Sequence, residues 1–238
     1  MDSVYHVTYI KHSGVLVETD SAYLLFDYWE GQIPPLKSGK DLYVFSSHIH
    51  RDHFTKHIFK LENSCVNVHY ILSSDIRDGN RDWKRAEDVT FVDPCCDIKV
   101  ASLRVRCFES TDEGVAFLVD VDGLKIYHAG DLHWWYWPAE PAEVNEGRRR
   151  QNYLKQLAMI GETLDGGTID LAFVVLDPRQ GEAGSYGMEE FLTHVPARRV
   201  FPIHFWENYD YVREYIEKFT RKYPAVHIVK IEKQGQIW

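Results

Sequence analysis

The sequence contains no uninterrupted apolar stretch approaching the roughly 20 residues that a membrane-spanning helix requires. It also lacks any CxxC pair. The four cysteines are Cys65, Cys95, Cys96 and Cys107, of which only Cys95 and Cys96 adjoin. A disulfide framework is not expected in a chain this long, so the cysteines read as small buried apolar residues in a reducing compartment. Positive charge is scarce, with 27 Lys and Arg against 36 Asp and Glu for a formal net charge of −9. Phosphate backbones recruit clustered Lys and Arg, so this deficit argues against a nucleic-acid partner. The one basic cluster, Arg148-Arg149-Arg150, falls in a predicted helix and reads as a solvated face. Met1-Asp2-Ser3-Val4 leads straight into a strand, without a basic and then apolar leader. The expectation is a cytoplasmic protein with a small-molecule substrate, no membrane partner, and homo-oligomerisation left open. A hydrophobic content of 45% excludes a disordered chain, and 238 residues suit one domain over 1–238.

Against these absences stands one dense motif, His48-Ile49-His50-Arg51-Asp52-His53. It follows Leu42-Tyr43-Val44-Phe45-Ser46-Ser47, an apolar run that reads as a buried strand ending in two small polar residues. Imidazole is the commonest metal ligand near neutral pH, and carboxylates complete sites for Zn, Mn or Fe. A turn leaving the strand can aim His48 and His50 at one ion, and Asp52 and His53 at a neighbouring one. The competing reading is a His-rich surface loop. The position directly after a strand favours a divalent metal site.

Around the motif, short β-branched and aromatic runs from Val4 to Phe45 alternate with Gly, Asp and Pro turns, as antiparallel strands do. Asp52 to Asn63 reads as a helix and Val66 to Leu72 as the next strand. Short strands are expected between Val89 and Val105. Val115 to Val121 and Leu124 to Tyr127 form a hairpin across Asp122-Gly123. Ala142 to Leu164 has helical spacing and ends at Gly166-Gly167. Strands follow at Ile169 to Leu176 and Arg199 to Ile203.

The order HxHxDH after a buried strand resembles the signature of the metallo-β-lactamase-fold hydrolases. Other segments match in the same order. Asp27, after Tyr23-Leu24-Leu25-Phe26, resembles the aspartate that supports the ligand loop from behind. Asp131, ending Lys125-Ile126-Tyr127-His128-Ala129-Gly130-Asp131, resembles the aspartate that touches both metals. His204, in Val200-Phe201-Pro202-Ile203-His204-Phe205, resembles the last histidine ligand. The opening Val7-Thr8-Tyr9-Ile10-Lys11-His12-Ser13-Gly14 is similar to the subgroup of sugar-lactone hydrolases and related metal-dependent hydrolases. The resemblance implies an α/β four-layer αββα sandwich, in which two mixed β-sheets pack face to face with helices outside. It also implies one or two divalent ions, Zn first, with Mn or Fe as alternatives.

One departure concerns the histidine that such proteins carry between the HxHxDH loop and the bridging aspartate. Here Leu103-Arg104-Val105-Arg106-Cys107-Phe108 leads into Glu109-Ser110-Thr111-Asp112-Glu113-Gly114, without a histidine. The resemblance aligns Glu109 with the missing ligand. Three arrangements stay open. Glu109 can ligate beside His48 and His50, a single ion is held by Asp52, His53, Asp131 and His204, or Glu109 merely faces solvent.

The resemblance also implies chemistry, in which a metal-activated water hydrolyses a small ester, lactone or phosphodiester. Asp52 and Asp131 would act at the reacting centre. His12, His128 and His133 are candidates to protonate the leaving group. Trp134 and Trp135 would line the substrate cavity, and Arg179, after Asp177-Pro178, would offer a guanidinium to a phosphate or carboxylate. The alternatives are a catalytically altered metal-binding or regulatory module, and an iron-containing oxidoreductase.

Overall fold

Ala22–Phe26 is buried along its whole length, and Asp41–Ser46 is buried after its first residue. Strands without an exposed face must be covered on both sides, which explains their near-continuous Leu, Val, Tyr and Phe content. The computed structural model describes residues 5–37, 39–63, 67–79 and 89–238. The strands are β1 (His6–Lys11), β2 (Gly14–Glu18), β3 (Ala22–Phe26), β4 (Asp41–Ser46), β5 (Val68–Ser73) and β6 (Val89–Val92), which form one sheet in that order. A second sheet runs from β7 (Asp97–Val100) through β8 (Leu103–Glu109), β9 (Val115–Val121), β10 (Leu124–His128), β11 (Ile169–Val175) and β12 (Ala197–Ile203) to β13 (His227–Ile228). Both sheets mix parallel and antiparallel pairs.

Alternation along each strand sorts side chains between layers. Leu24 and Phe26 belong to the cluster shared with the second sheet, whereas Tyr23 and Leu25 turn outward towards Phe54, Ile58 and Ile76. Phe26 and Phe45 meet Phe117 across the sandwich, with ring centroids 6.4 and 5.2 Å apart. Phe45→Ala would break this contact at a cost of about 3–5 kcal/mol. On the far side, α2 (Arg150–Leu164) buries Tyr153, Leu157, Ile160 and Leu164. Tyr127 of β10 stacks on Phe191 of α3 (Tyr186–His194) at 5.3 Å. The remaining helices are the short α1 (Ser74–Asp78) and α4 (Tyr209–Lys222). The result is the four-layer arrangement of two mixed sheets with outer helices. Among the described residues no helix is long and apolar enough to cross a membrane.

The pairing pattern decides where the loops gather. β1 and β3 are each antiparallel to β2, and β3 is parallel to β4, so β1, β3 and β4 all run one way. By the same reasoning β8, β10, β11 and β12 run one way. Their carboxyl ends deliver His12, Asp27, His48, Asp112, Asp131, Asp177 and His204, and loops on a rigid scaffold are where function concentrates.

Three expectations differ from the fold. The strands up to Phe45 are not all antiparallel: β3 and β4 are parallel, joined by a crossover through 27–40. The helix expected from Asp52 begins only at Lys56, as a 3-10 segment Lys56–Asn63. His53 N and Phe54 N both donate to His50 O, which holds the motif in a tight turn. The long helix before Gly166 starts as a π-helical turn, Glu143–Arg149, and becomes regular at Arg150. Val4, Cys65 and Val66 lie outside the described residues.

Candidate metal centre

The loop after β4 is fastened from beneath. Asp27 accepts hydrogen bonds from Ser47 N and Ser47 Oγ, both at 2.7 Å, and its Oδ2 lies 2.7 Å from His53 Nδ1. Ser47 Oγ also lies 2.9 Å from His48 Nδ1. From α1, Asp75 accepts from Ile49 N at 2.8 Å. These contacts occupy the Nδ1 edges of His48 and His53 and turn both Nε2 atoms away from the sheet. Two glycines allow the neighbouring loops to close over Ser47. At Gly114 (φ +69) a Cβ would lie 1.9 Å from Ser47 O, and at Gly130 (φ +53) it would lie 2.6 Å from Ser47 Cβ. Neither position accommodates a side chain.

Two groups of ligand-type atoms result. His48, His50, Asp112 and Asp131 form one, and His12, Asp52, His53 and His204 form the other; within each group all donor atoms lie within 4.8 Å of one another. Asp131 stands between them. Its Oδ1 is 3.1 Å from His53 Nε2 and 3.3 Å from His204 Nε2, while its Oδ2 is 3.7 Å from His48 Nε2. His53 Nε2, His204 Nε2 and Asp131 Oδ1 are buried, yet their angles leave all three without a hydrogen bond among the described residues. Buried polar atoms in folded proteins are almost always satisfied. Three unsatisfied ones pointing together are what a cation needs, and imidazole and carboxylate donors suit a divalent metal.

Electrostatics agree with the geometry. Burial alone would raise the Asp131 carboxyl, but His53, His204 and His48 outweigh it and hold it well below the usual carboxylate range. Burial would depress His53, yet Asp131 and Asp27 on either side lift it well above the ordinary histidine value. His53 therefore sits in a strongly negative field, the field that favours a cation. Burial pushes His12 and His48 down to about 4, so both imidazoles are neutral near pH 7, as metal ligands must be. Asp112 is raised by burial and by the nearby Asp131.

The backbone is strained at the same place. His12, Asp27, His204 and Trp206 all have positive φ, between 43° and 63°, without being glycine. Such conformations cost of order 1–3 kcal/mol each and cluster at functional sites. His204 N donates to His12 O at 3.2 Å, which ties the two sheets together beside the donor groups.

A cavity of about 390 Å³ opens onto the centre, lined by His50, Asp52, Thr111, Asp112, Asp131, Trp135, Trp137, Arg149, Arg179, His204 and Trp206. Trp135 Nε1 donates to Asp131 O, which anchors this indole beside the donor atoms. Thr111 Oγ1 accepts from His133 N and donates to His133 O, stitching the loop of Asp112 to the loop of Asp131.

The structure brings His48, His50, Asp52, His53, Asp131 and His204 together and separates four other candidates from them. Glu109 is exposed, its carboxylate accepts from Gln156 Nε2 at 3.3 Å, and it belongs to neither donor group. Asp112, three residues on, stands where Glu109 was expected, because the turn at Gly114 folds the loop back over His48. His128 is fully buried, with Nδ1 accepting from Gly130 N and Nε2 bonded to Ser13 O, so neither nitrogen is free to protonate a leaving group. His133 pairs with Gln180 Oε1 at 3.0 Å behind the cavity, and its Nδ1 edge packs on Gly187. Trp134 faces away from the donor atoms, with Nε1 on Asn145 O. Sequence reasoning missed Asp112, Asp177 and Trp206 and gave His12 another role. His12 Nε2 lies 3.3 Å from Asp52 Oδ2, and its ring packs tilted against that of His204 with centroids 4.1 Å apart. Only its place at the end of a strand on the same edge could have marked it.

Similar architectures occur among solved structures. Igni18, a metallo hydrolase from the archaeon Ignicoccus hospitalis, superposes with a TM-score of 0.61 at 16% identity, over 98% of this chain and 97% of that one. The metallo-β-lactamase fold protein YhfI from Bacillus subtilis gives 0.64 at 14% identity, over 98% of each chain. CmlA, a diiron β-hydroxylase from Streptomyces venezuelae, gives 0.62 at 13% identity, over 99% of this chain and 54% of that one. These likenesses concern the fold. No curated protein matches the sequence. The model of the β-lactamase superfamily domain matches residues 6–144, more than half of the chain, and the chain belongs to that family.

Proposed function

We propose that the chain is a metal-dependent hydrolase of a small ester, lactone or phosphodiester, with zinc as the first candidate ion and manganese or iron as alternatives. The observation that carries this reading is the convergence of His53 Nε2, His204 Nε2 and Asp131 Oδ1, buried and without hydrogen bonds among the described residues, beside a cavity of ligand size that Asp131 and His204 line. His48, His50, Asp112 and Asp131 would hold one ion, and His12, Asp52, His53 and His204 another, with Asp131 shared. When bound, a divalent ion supplies a water whose pKa falls from 15.7 to roughly 7 and polarises the oxygen under attack.

The chain's own residues set orientation and proton balance. Asp131, held ionised by the imidazoles around it, can accept a hydrogen bond from the attacking water. Asp52 lines the cavity and is likewise held below the usual carboxylate range, so it acts as an acceptor near pH 7. Trp135, Trp137 and Trp206 exclude water from one wall. With His128 and His133 withdrawn from the cavity, and His12 and Asp52 in a donor group, the leaving group would take its proton from solvent.

A second reading is favoured by the carboxylate at position 112. Two imidazoles with two carboxylates suit iron as well as zinc, and an iron-loaded centre would support redox chemistry. Elemental analysis of protein purified without added metal, followed by assays on lactones, aryl esters and bis-aryl phosphodiesters, tests both. Zinc or manganese with turnover supports the hydrolase. Iron without turnover favours the oxidoreductase, and absence of bound metal favours a binding module.

A further inference from the structure

The two cations in the cavity lining are Arg149 and Arg179, and they are not equivalent. Arg149 is occupied by the carboxylate of Glu140 and by Asn145 Oδ1. Arg179 donates through Nε and Nη2 to Asp177, which is fully buried, and its Nη1 donates to no described residue. The Arg179 side chain is 45% exposed, and its guanidinium lies 5.0 to 6.0 Å from the ring centres of Trp135, Trp137 and Trp206. Trp135 and Trp137 stack with planes 8° apart, and Trp206 is 40% exposed.

An arginine that merely neutralised Asp177 could leave its spare edge in open solvent, since burying an unpaired N–H costs free energy. This one keeps an edge open to the cavity, in a position fixed by a buried carboxylate. Fixing the fork in advance removes most of the entropy that a flexible arginine loses on capturing an anion. The three indoles offer flat apolar surface next to the same edge, and base-like or phenyl rings pack well on such faces.

We propose that Arg179, with Trp135, Trp137 and Trp206, forms a recognition subsite for a substrate carrying a carboxylate or phosphate on a flat apolar body, whose other end reaches Asp131. The second clause rests on the hydrolase reading; the binding of the anion does not. Arg179 Nη1 holds the anion, the indoles hold the body, and the 390 Å³ cavity limits the ligand to a small molecule.

The test uses the protein with the metal it carries on purification and three probes of one shape: phenylacetate, phenyl phosphate and neutral phenylacetamide. Affinities are measured by calorimetry on the parent, Arg179→Met and Arg179→Lys. The expected result is at least tenfold tighter binding of one anion over phenylacetamide in the parent. Whichever anion wins assigns the group as carboxylate or phosphate. In Arg179→Met that preference should fall to within about threefold of unity, while phenylacetamide still binds, which shows that the cavity remains folded. Arg179→Lys, which keeps the charge opposite Asp177 but not the fork, should lie between. An anion preference that persists in Arg179→Met would assign the anion to the metal and overturn the proposal, as would a parent without preference. Hydrolysis is scored separately, so an intact anion preference without turnover would sink the hydrolase reading and leave the subsite standing.

Discussion

Asp27 Oδ2 lies 2.7 Å from His53 Nδ1, with both side chains wholly withdrawn from solvent. The same carboxylate receives two hydrogen bonds from Ser47, so one buried group orients the strand end and the imidazole together. A carboxylate behind a ligating histidine fixes its tautomer and raises its basicity, and loss of such a partner typically costs 10–100-fold in metal affinity. Asp27→Asn keeps the shape and removes the charge. Its affinity for zinc, measured by competition with a chromophoric chelator, should fall within that range. An unchanged affinity would leave Asp27 with a role in folding alone.

His53→Ala and Asp131→Asn act on the donors themselves. His53 contributes to one group, whereas Asp131 stands between both. Asp131→Asn should therefore lower metal content at both positions, and His53→Ala chiefly at the one shared with His12, Asp52 and His204. Plasma emission on dialysed protein reads the stoichiometry. Equal losses in the two variants would argue against Asp131 as the shared residue.

The pair Glu109 and Asp112 gives a sharper contrast. Glu109 is exposed and bonded to Gln156, while Asp112 Oδ2 lies 3.7 Å from His50 Nδ1 in a donor group. Glu109→Ala should leave metal content unchanged. Asp112→Ala should reduce it, and Asp112→His should recover it with greater selectivity for zinc over manganese, because imidazole replaces a harder oxygen donor. Metal loss in Glu109→Ala, with none in Asp112→Ala, would restore the assignment read from the sequence.

That contrast marks where the sequence ceases to be informative. The HxHxDH run and the β9–β10 hairpin are legible because short spacings and a turn signal decide them locally. Asp131 and His204 are legible as endpoints of apolar strands. The parallel pairing of β3 with β4 is a long-range event, decided by the crossover rather than by the strands themselves. Asp112 reaches His50 only because Gly114 packs on Ser47, a contact between loops of different sheets. Asp177 carries no local signal either. It is recognisable only once His204 Nδ1 lies 3.2 Å from its Oδ2. The aromatic run from Trp134 to Trp137 was legible as a cavity wall, but alternate rings face opposite ways, so Trp135 and Trp137 line the cavity and Trp134 does not.

The last prediction concerns pH and His133, which contributes to neither donor group. Burial pushes this imidazole down to about 4, because the loss of hydration outweighs the opposing pull of Asp177, Gln180 and Asp131. In the unfolded chain it would titrate near 6.5. The folded-state value is the lower one, so between pH 6.5 and 4 the unfolded chain binds more protons at this position. The folded state therefore loses stability as pH falls through that window and regains it as pH rises. For a histidine with these two values, the loss between pH 7 and pH 5 is about 2 kcal/mol. Gln180 Oε1 accepts from the neutral ring, and Gly187 leaves no room for a solvating water at Nδ1. His133→Gln retains a donor for Gln180 but cannot titrate. Urea unfolding at pH 7 and pH 5 should show a smaller drop in the variant than in the parent by about 1–2 kcal/mol, whatever its absolute stability. The contributions of His12 and His48, which are depressed in the same sense, cancel in this comparison. An identical drop in both proteins would mean that His133 binds a proton in the folded state near its ordinary value, and that solvent reaches the space behind the cavity.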